Sequence, residues 1–266
     1  MYYDIHSHIL PGFDDGSPDL ETSLAMLKQA AESGTSGIVA TPHYAEGEWQ
    51  PEWAAVEAAC KSLAEQAKAA QIPIAIYPGA EVAFYSGIED MVEEPGRYCI
   101  NATRYMLVEL PANQIPLTVD DFFFTLEARG IQPVLAHPER YLQLLTEPRR
   151  LLEWIDRGVL LQVNGSSLLG KMGSHSMELA ETLLMSNMIH CIASDGHGIH
   201  SRRVMLKEAA AKVEALVGAK TAAMLFKENP ERMIHDQTIT IPEPDAKRLL
   251  QTKGFIAKLL QKMSRR

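Results

Sequence analysis

Near its N-terminus the chain reads Asp4-Ile5-His6-Ser7-His8. Side chains of an extended strand alternate between faces, so His6 and His8 project to one side, about two strand rises apart, close enough to grip one cation. Further donors recur at the ends of apolar runs: His43 in Thr41-Pro42-His43, Glu81 in Gly79-Ala80-Glu81, Glu109 in Val108-Glu109-Leu110, His137 in Ala136-His137-Pro138, and Asp195 with His197 in Ser194-Asp195-Gly196-His197. One such residue alone is more often hydrogen-bonded core than ligand. A whole set, each closing an apolar run, points to a shared metal centre. The turn Asp14-Asp15-Gly16 adds a carboxylate; either aspartate could be the ligand, and a solvated turn or a cap for the helix near Asp19 is the plainer use of the pair. Mixed imidazole and carboxylate ligation suits zinc, manganese or iron(II) and disfavours an all-oxygen magnesium site or a thiolate one. The donors exceed the needs of one ion, so two or three are expected, with a carboxylate such as Glu81 bridging.

The elements that must position these groups alternate along the chain. Apolar runs lie at Tyr2–His8, Gly37–His43, Ile74–Val82, Arg104–Leu110, Ile131–His137, Val159–Asn164 and Ile189–Asp195. Between most of them fall amphipathic stretches, Asp19–Ser33, Pro51–Ala70, Val119–Arg129, Pro148–Arg157 and Ser176–Asn187, with Arg203–Val217 after the last. Several begin at Ser, Thr, Asp or Pro and stop at Gly34, Gly130, Gly158 and Gly218, the residue types that favour helix boundaries. Seven strand–helix units in series imply a parallel sheet and suggest closure into an α/β barrel, whose strand ends open on the one face where active sites sit. No repeat, low-complexity tract or interdomain linker appears before about Pro242, so residues 1–241 read as one domain and 242–266 as a tail.

Composition narrows the alternatives. With 266 residues and 46% apolar content the chain can bury a large core. No run reaches the roughly 18–20 apolar residues of a membrane helix, and Met1-Tyr2-Tyr3-Asp4 lacks the basic start of a signal peptide, so a cytoplasmic location is expected. Cys60, Cys99 and Cys191 are odd in number and widely spaced, against a disulfide framework or thiolate zinc site, and none is followed six positions later by Arg, so a Cys-x5-Arg phosphatase loop is absent. The formal net charge of −9 disfavours a nucleic-acid partner. An anionic substrate would need local positive charge, which metal ions supply.

The motifs Asp-x-His-x-His, Thr-Pro-His, Gly-x-Glu, His-Pro-Glu-Arg and Ser-Asp-x-His, in this order, resemble the polymerase-and-histidinol-phosphatase (PHP) family. Within it, the stretch from Asp4 to Gly16, Val108-Glu109-Leu110-Pro111 and His137-Pro138-Glu139-Arg140-Tyr141 are similar to the manganese-dependent bacterial tyrosine-protein phosphatases of capsule and exopolysaccharide operons. The similarity spans about residues 1–235. It implies a distorted seven-stranded (β/α)7 barrel, a site of two or three Mn2+ ions (with Fe2+, Co2+ or Zn2+ as substitutes), and removal of phosphate from tyrosines of a partner bacterial tyrosine kinase, in its tail. Position by position it assigns one metal to His6, His8, Glu81 and Asp195, a second to Glu81, Glu109 and His137, and a third to Asp15, His43 and His197; the second Asp of the Asp-Asp-Gly turn is the matching one. One departure is visible. After Ser194-Asp195 the chain reads Gly196-His197-Gly198-Ile199-His200-Ser201-Arg202-Arg203, where relatives carry Ala before the histidine and Asn soon after, so the alignment of the following arginine stays open by one position.

The expected chemistry is attack on phosphorus by a metal-activated hydroxide. Arg140 and either Arg202 or Arg203 are candidates to clamp the phosphoryl oxygens by forked hydrogen bonds, and His43 or a metal-bound water to protonate the leaving group. Asn164 ends the sixth run, the one without an ionic ligand, and is a candidate to hydrogen-bond a ligand. His200 is near enough in sequence to touch substrate; His175, His190 and His235 read as surface or core. In the tail, Leu249, Leu250, Ile256, Leu259, Leu260 and Met263 fall at helical spacing among Lys253, Lys258, Lys262, Arg265 and Arg266, which suggests peripheral contact with the inner face of an anionic membrane, or docking on the barrel or a second subunit. Two other functions share much of this pattern. One is a PHP hydrolase for a small phosphomonoester such as histidinol phosphate; the other is a non-enzymatic phosphotyrosine-binding regulator or polymerase-type module.

Overall fold

The computed structural model describes residues 1–112 and 114–249. Every apolar run carries a strand, and the amphipathic stretches between them carry helices. β1 (Tyr2–Asp4), α1 (Leu20–Glu32), β2 (Thr35–Ala40), β3 (His43–Tyr44), α2 (Trp53–Ala69), β4 (Ala75–Pro78) and β5 (Glu81–Ala83) form the first part. β6 (Tyr105–Glu109), α3 (Val119–Ala128), β7 (Gln132–Ala136), α4 (Leu142–Thr146), α5 (Arg149–Asp156), β8 (Leu160–Asn164), α6 (Gly165–Leu168), α7 (Ser174–Met185) and β9 (Cys191–Ala193) follow. α8 (Lys207–Val217), α9 (Ala219–Ala223) and α10 (Asn229–Ile234) come after the last strand. Asp19 caps α1 by accepting from the Thr22 N–H at 2.8 Å, and Gly34, in left-handed backbone at φ 96°, turns the chain from α1 into β2.

All strand pairs are parallel, in two sheets ordered β1-β2-β4 and β3-β5-β6-β7-β8-β9. The pairing therefore differs from one continuous seven-stranded ladder: the second and third apolar runs each break in two. Pro42 has no N–H to lend a ladder, and at Gly79 the chain passes so near β2 that a Cβ would sit 2.7 Å from Val39 Cγ1. Short bonds stitch across the breaks and between the first and last runs: Thr41 N–H to Ser7 O at 2.8 Å, Glu81 N–H to Pro42 O at 3.1 Å, Asp195 N–H to His6 O and His8 N–H to Gly196 O at 2.9 Å each.

Two apolar clusters follow from the period-two alternation of buried strands. Met106, Val108, Leu135, Leu161 and Val163 pack outward against the helices with Leu27, Leu63, Phe123 and Trp154. The opposite faces supply Ile5, Val39, Tyr105, Leu107, Val134, Ala136, Leu160, Cys191 and Ala193 to an inner cluster that Met233 and Ile234 of α10 join. Ile239 joins the inner cluster and Leu249 the outer one, and Asp245 N–H donates to Ser186 O at 2.8 Å, so described residues beyond 241 still pack on the same body. Leu249 is buried, and the basic stretch from Leu250 onward lies outside the described residues.

Candidate metal centre

The donors named from sequence converge where the strands end. His6 and His8 follow β1, His43 opens β3, Glu81 opens β5, Glu109 ends β6, His137 follows β7, and Asp195 and His197 follow β9. Glu81 is the hub. Its Oε2 has His6 Nε2 at 3.2 Å, His8 Nε2 at 3.3 Å and His43 Nδ1 at 3.2 Å, while Oε1 has His137 Nε2 at 2.9 Å. Glu109 lies beyond it, 3.6 Å from His137 Nε2 and 3.9 Å from His43 Nδ1. Asp15 Oδ1 stands 3.4 Å from His43 Nε2 and 3.3 Å from His197 Nε2. Asp195 Oδ1 is 3.5 Å from His6 Nε2 and 3.4 Å from His197 Nδ1. Three groups have donor atoms within 4.8 Å of one another: His8, Asp15, His43 and His197; His6, His8 and Glu81; His43, Glu81 and Glu109.

Local backbone chemistry aims these side chains. Val134 and Ala136 of β7 belong to the inner cluster and Leu135 to the outer, so strict alternation would send His137 outward; its left-handed backbone, φ 36°, turns it back. Asp195 at φ 51° and Arg202 at φ 46° are also left-handed. Such positions cost about 1–3 kcal/mol each in non-glycine residues and gather at functional sites. At Gly16 a Cβ would fall 2.3 Å from His8 O, so the Asp-Asp-Gly turn closes on the histidine pair only with glycine there.

A buried hydrogen-bond chain fixes the imidazole of His6. Asn164 Nδ2 donates to Asp195 Oδ2 at 2.7 Å; a carboxylate only accepts, so the Asn164 oxygen must face Gln162 Nε2, 2.8 Å away. Gln162 Oε1 then faces His6 Nδ1 at 2.8 Å, which carries the proton. His8 Nδ1 is likewise bound to Asp14 Oδ2 at 2.6 Å, and the same oxygen accepts from the His43 N–H at 3.0 Å. With both Nδ1 atoms committed as donors, the neutral rings aim Nε2 lone pairs at each other across 3.2 Å, a separation lone pairs hold only with a proton or cation between them.

Gln162 and the supporting role of Asp14 were not legible in the motifs. The signal for Gln162 was its spacing: Leu160, Gln162 and Asn164 share one strand face, apolar at its base and polar toward the cluster. Trp49 was also missed; its ring stacks on His43 at 5.2 Å between centroids and 20° between planes. Of the arginines, Arg140 NH1 meets Asp195 Oδ2 at 3.1 Å and Arg202 NH2 meets Asp195 Oδ1 at 2.6 Å, whereas Arg203 reaches away to Gln29 Oε1 at 3.3 Å. His200 is exposed, His190 is buried between strands, and His235 packs edge-on to Tyr77.

Without a cation this cluster is electrostatically frustrated. Burial opposes charge on His8, yet the hydrogen bond to Asp14 and the nearby Glu81 carboxylate raise it to about 10. Burial would likewise raise Glu81, but the His6 charge beside it and the bond from His137 hold it well below the usual carboxylate range. Burial, then the Glu81 charge, push Glu109 up to about 8, while burial lowers His137 and His43. Glu81 Oε2 makes no hydrogen bond despite its three imidazole neighbours, and the buried His197 Nε2 makes none either. Orphaned acceptors surrounded by donor atoms at such spacing fit divalent metal ions.

These features define a class, a parallel α/β protein with a histidine-and-carboxylate centre at its strand ends. The family model for capsular polysaccharide synthesis proteins, CpsB/CapC, matches residues 2–235, and the chain belongs to that family. It is 34% identical to the tyrosine-protein phosphatase YwqE of Bacillus subtilis over 95% of this chain and 99% of that one. It is 30% identical to the tyrosine-protein phosphatase CpsB of Streptococcus pneumoniae over 89% and 99%. Its fold superimposes with a TM-score of 0.85 and 33% identity on a chain from the crystal structures of YwqE and CpsB, metal-dependent tyrosine phosphatases, covering 91% of this chain and 98% of that one.

Proposed function

We propose that this protein is a metal-dependent phosphotyrosine-protein phosphatase whose substrate is the phosphorylated tail of a bacterial tyrosine kinase in capsular or exopolysaccharide synthesis. The observation that carries it is the convergence on Glu81 of three imidazoles from distant segments, beside two arginines drawn to Asp195, in a chain so similar to YwqE. His6, His8, Glu81 and Asp195 would hold one ion, Glu81, Glu109 and His137 a second, and Asp15, His43 and His197 a third; Mn2+ is the proposed metal. When bound, divalent cations supply Lewis acidity, withdrawing charge from phosphoryl oxygens and acidifying water.

The protein's own groups do the rest. Arg140 and Arg202, partly exposed at the rim, present planar forks that match two phosphoryl oxygens each, and this favours Arg202 over Arg203 as the clamp. Gln162 and Asp14 hold His6 and His8 in the tautomer whose Nε2 is free. Both ring nitrogens of His43 face carboxylates, which supports a holding role rather than proton delivery. A phenolate of pKa near 10 leaves with less protonation than an alkoxide needs, consistent with tyrosine as the phosphate carrier.

We further read the two sheets and the bonds between the first and last runs as a distorted seven-stranded barrel of PHP type. No described helix is long and apolar enough to cross a membrane; action in the cytoplasm, with the basic tail touching the inner membrane face, completes the proposal. Comparing kcat/KM on a phosphotyrosine peptide, a phosphoserine peptide and histidinol phosphate, with metal analysis of the same sample, tests it. Phosphotyrosine should win by orders of magnitude, and a win for histidinol phosphate would overturn the assignment.

A further inference from the structure

Beside the metal centre, the segment following β8 and the loop following β9 enclose a cavity of about 320 Å3. Ser194 and Arg202 line it on the side of the cluster, and Lys171, Arg203, His200 and Glu208 are among its other polar residues. That wall departs from the rest of the molecule. The chain carries a formal net charge of −9, yet here Lys171, Arg202 and Arg203 face one carboxylate. Glu208 is paired with Lys171 at 3.0 Å, but both side chains are about 60% exposed, and exposed pairs of this kind hold by only about 0.2–1 kcal/mol. An incoming carboxylate can therefore compete for Lys171 at little cost.

The loop that presents the arginines is built, not loose. His197 N–H donates to Arg202 O and Met205 N–H to Arg203 O, each at 2.8 Å, and Gly198 bridges Arg203. The left-handed Arg202 sends its guanidinium to Asp195 while Arg203, next in sequence, reaches Gln29. Arg202 thus belongs both to the phosphate clamp and to the cavity wall, so a peptide whose phosphotyrosine engages the clamp brings its neighbouring residue over the cavity. The volume sits at the low end of ligand pockets, which run about 300–1,000 Å3, and suits one side chain.

We infer that this cavity is a subsite for an acidic side chain flanking the phosphotyrosine, with Lys171 reading its carboxylate. The inference rests on the phosphatase reading above and deepens it from reaction to substrate sequence. Three phosphotyrosine peptides that differ only in one flanking residue, Glu, Gln or Lys, scanned on either side, test it with the metal-loaded full chain. Two quantities are read: the ratio of kcat/KM between Glu- and Lys-flanked peptides, in which any general change of activity cancels, and the Kd of the matching non-hydrolysable phosphonate peptides by calorimetry.

The wild type should favour the Glu peptide by about fivefold, the scale of one exposed ion pair, and Lys171→Glu should invert that order in both readouts. Raising the salt to about 0.5 M should compress the ratio, because charges at the surface are screened. Lys171 is exposed, so the variant is expected to fold, and Lys171→Ala, which should erase the preference without inverting it, guards against an artefact of the new carboxylate. Phosphotyrosine cleavage with equal rates on all three flanks, or a ratio unchanged in Lys171→Glu, overturns the inference alone. Cleavage of histidinol phosphate with none of any phosphotyrosine peptide overturns the phosphatase reading and the subsite with it.

Discussion

Replacing Gln162 with leucine isolates what the amide chain contributes to metal binding. The substitution keeps the volume of a side chain that is wholly buried, but removes the acceptor 2.8 Å from His6 Nδ1 and the donor to Asn164. The His6 N–H is then buried without a partner, at a cost of about 1–3 kcal/mol, unless the ring moves its proton to Nε2, the atom that faces Glu81 and His8. Either way the metal-competent tautomer is disfavoured. Loss of such a supporting partner lowers metal affinity about 10- to 100-fold, about 1.4–2.7 kcal/mol. Competition between protein and a chelator for Mn2+ reads this directly. If Gln162→Leu bound Mn2+ as tightly as wild type, the tautomer argument would be wrong.

Glu81→Ala should abolish phosphatase activity and reduce bound metal by at least one ion per chain, measured by elemental analysis, because its two oxygens face four imidazoles. Metal uptake should release protons, and affinity should rise from pH 6 to 8, since His8 holds its proton up to about 10 in the metal-free chain; calorimetry in buffers of different ionisation enthalpy counts those protons. Gly16→Ala should cost about 1–3 kcal/mol in urea unfolding, as a Cβ 2.3 Å from a backbone oxygen forces the turn to shift. His190, with Nδ1 accepting from the Leu161 N–H, is lowered by burial to about 4. Its neutral form stabilises the fold above the unfolded pKa of about 6.5, and that stability drains as pH falls toward 4, by about 2 kcal/mol at pH 5. His190→Asn should flatten this part of the stability–pH curve measured by urea unfolding; an unchanged slope would place the titrating group elsewhere.

Much of the scaffold was legible because its signals are local. The helix expected at Asp19–Ser33 forms at Leu20–Glu32 with the capping contact its first residue predicts, and Val119–Arg129 differs from α3 by one residue. What was not legible depends on contacts across the chain. The breaks at Pro42 and Gly79 reflect how closely the second and third runs approach one another, which alternation within either run does not reveal. Motif spacing gathered the donors around Glu81 and left the arginine register open; the left-handed turn at Arg202 settles which guanidinium meets Asp195. Gln162 escaped notice because it looks like a polar interruption of a strand, and Asp14 was weighed as a ligand rather than as the partner of His8 because an acidic turn offers two alternative carboxylates.

The stitching of the first run to the last has a consequence for biosynthesis. Asp4 accepts from the Ser194 N–H across 190 positions, and the residues that follow each are bonded to one another. On the ribosome the N-terminal histidines emerge long before the segment that completes their surroundings, so a nascent chain presents only fragments of the cation cage. Contacts this remote in sequence form late and slowly, and completion of the cage must therefore wait until translation has passed His197.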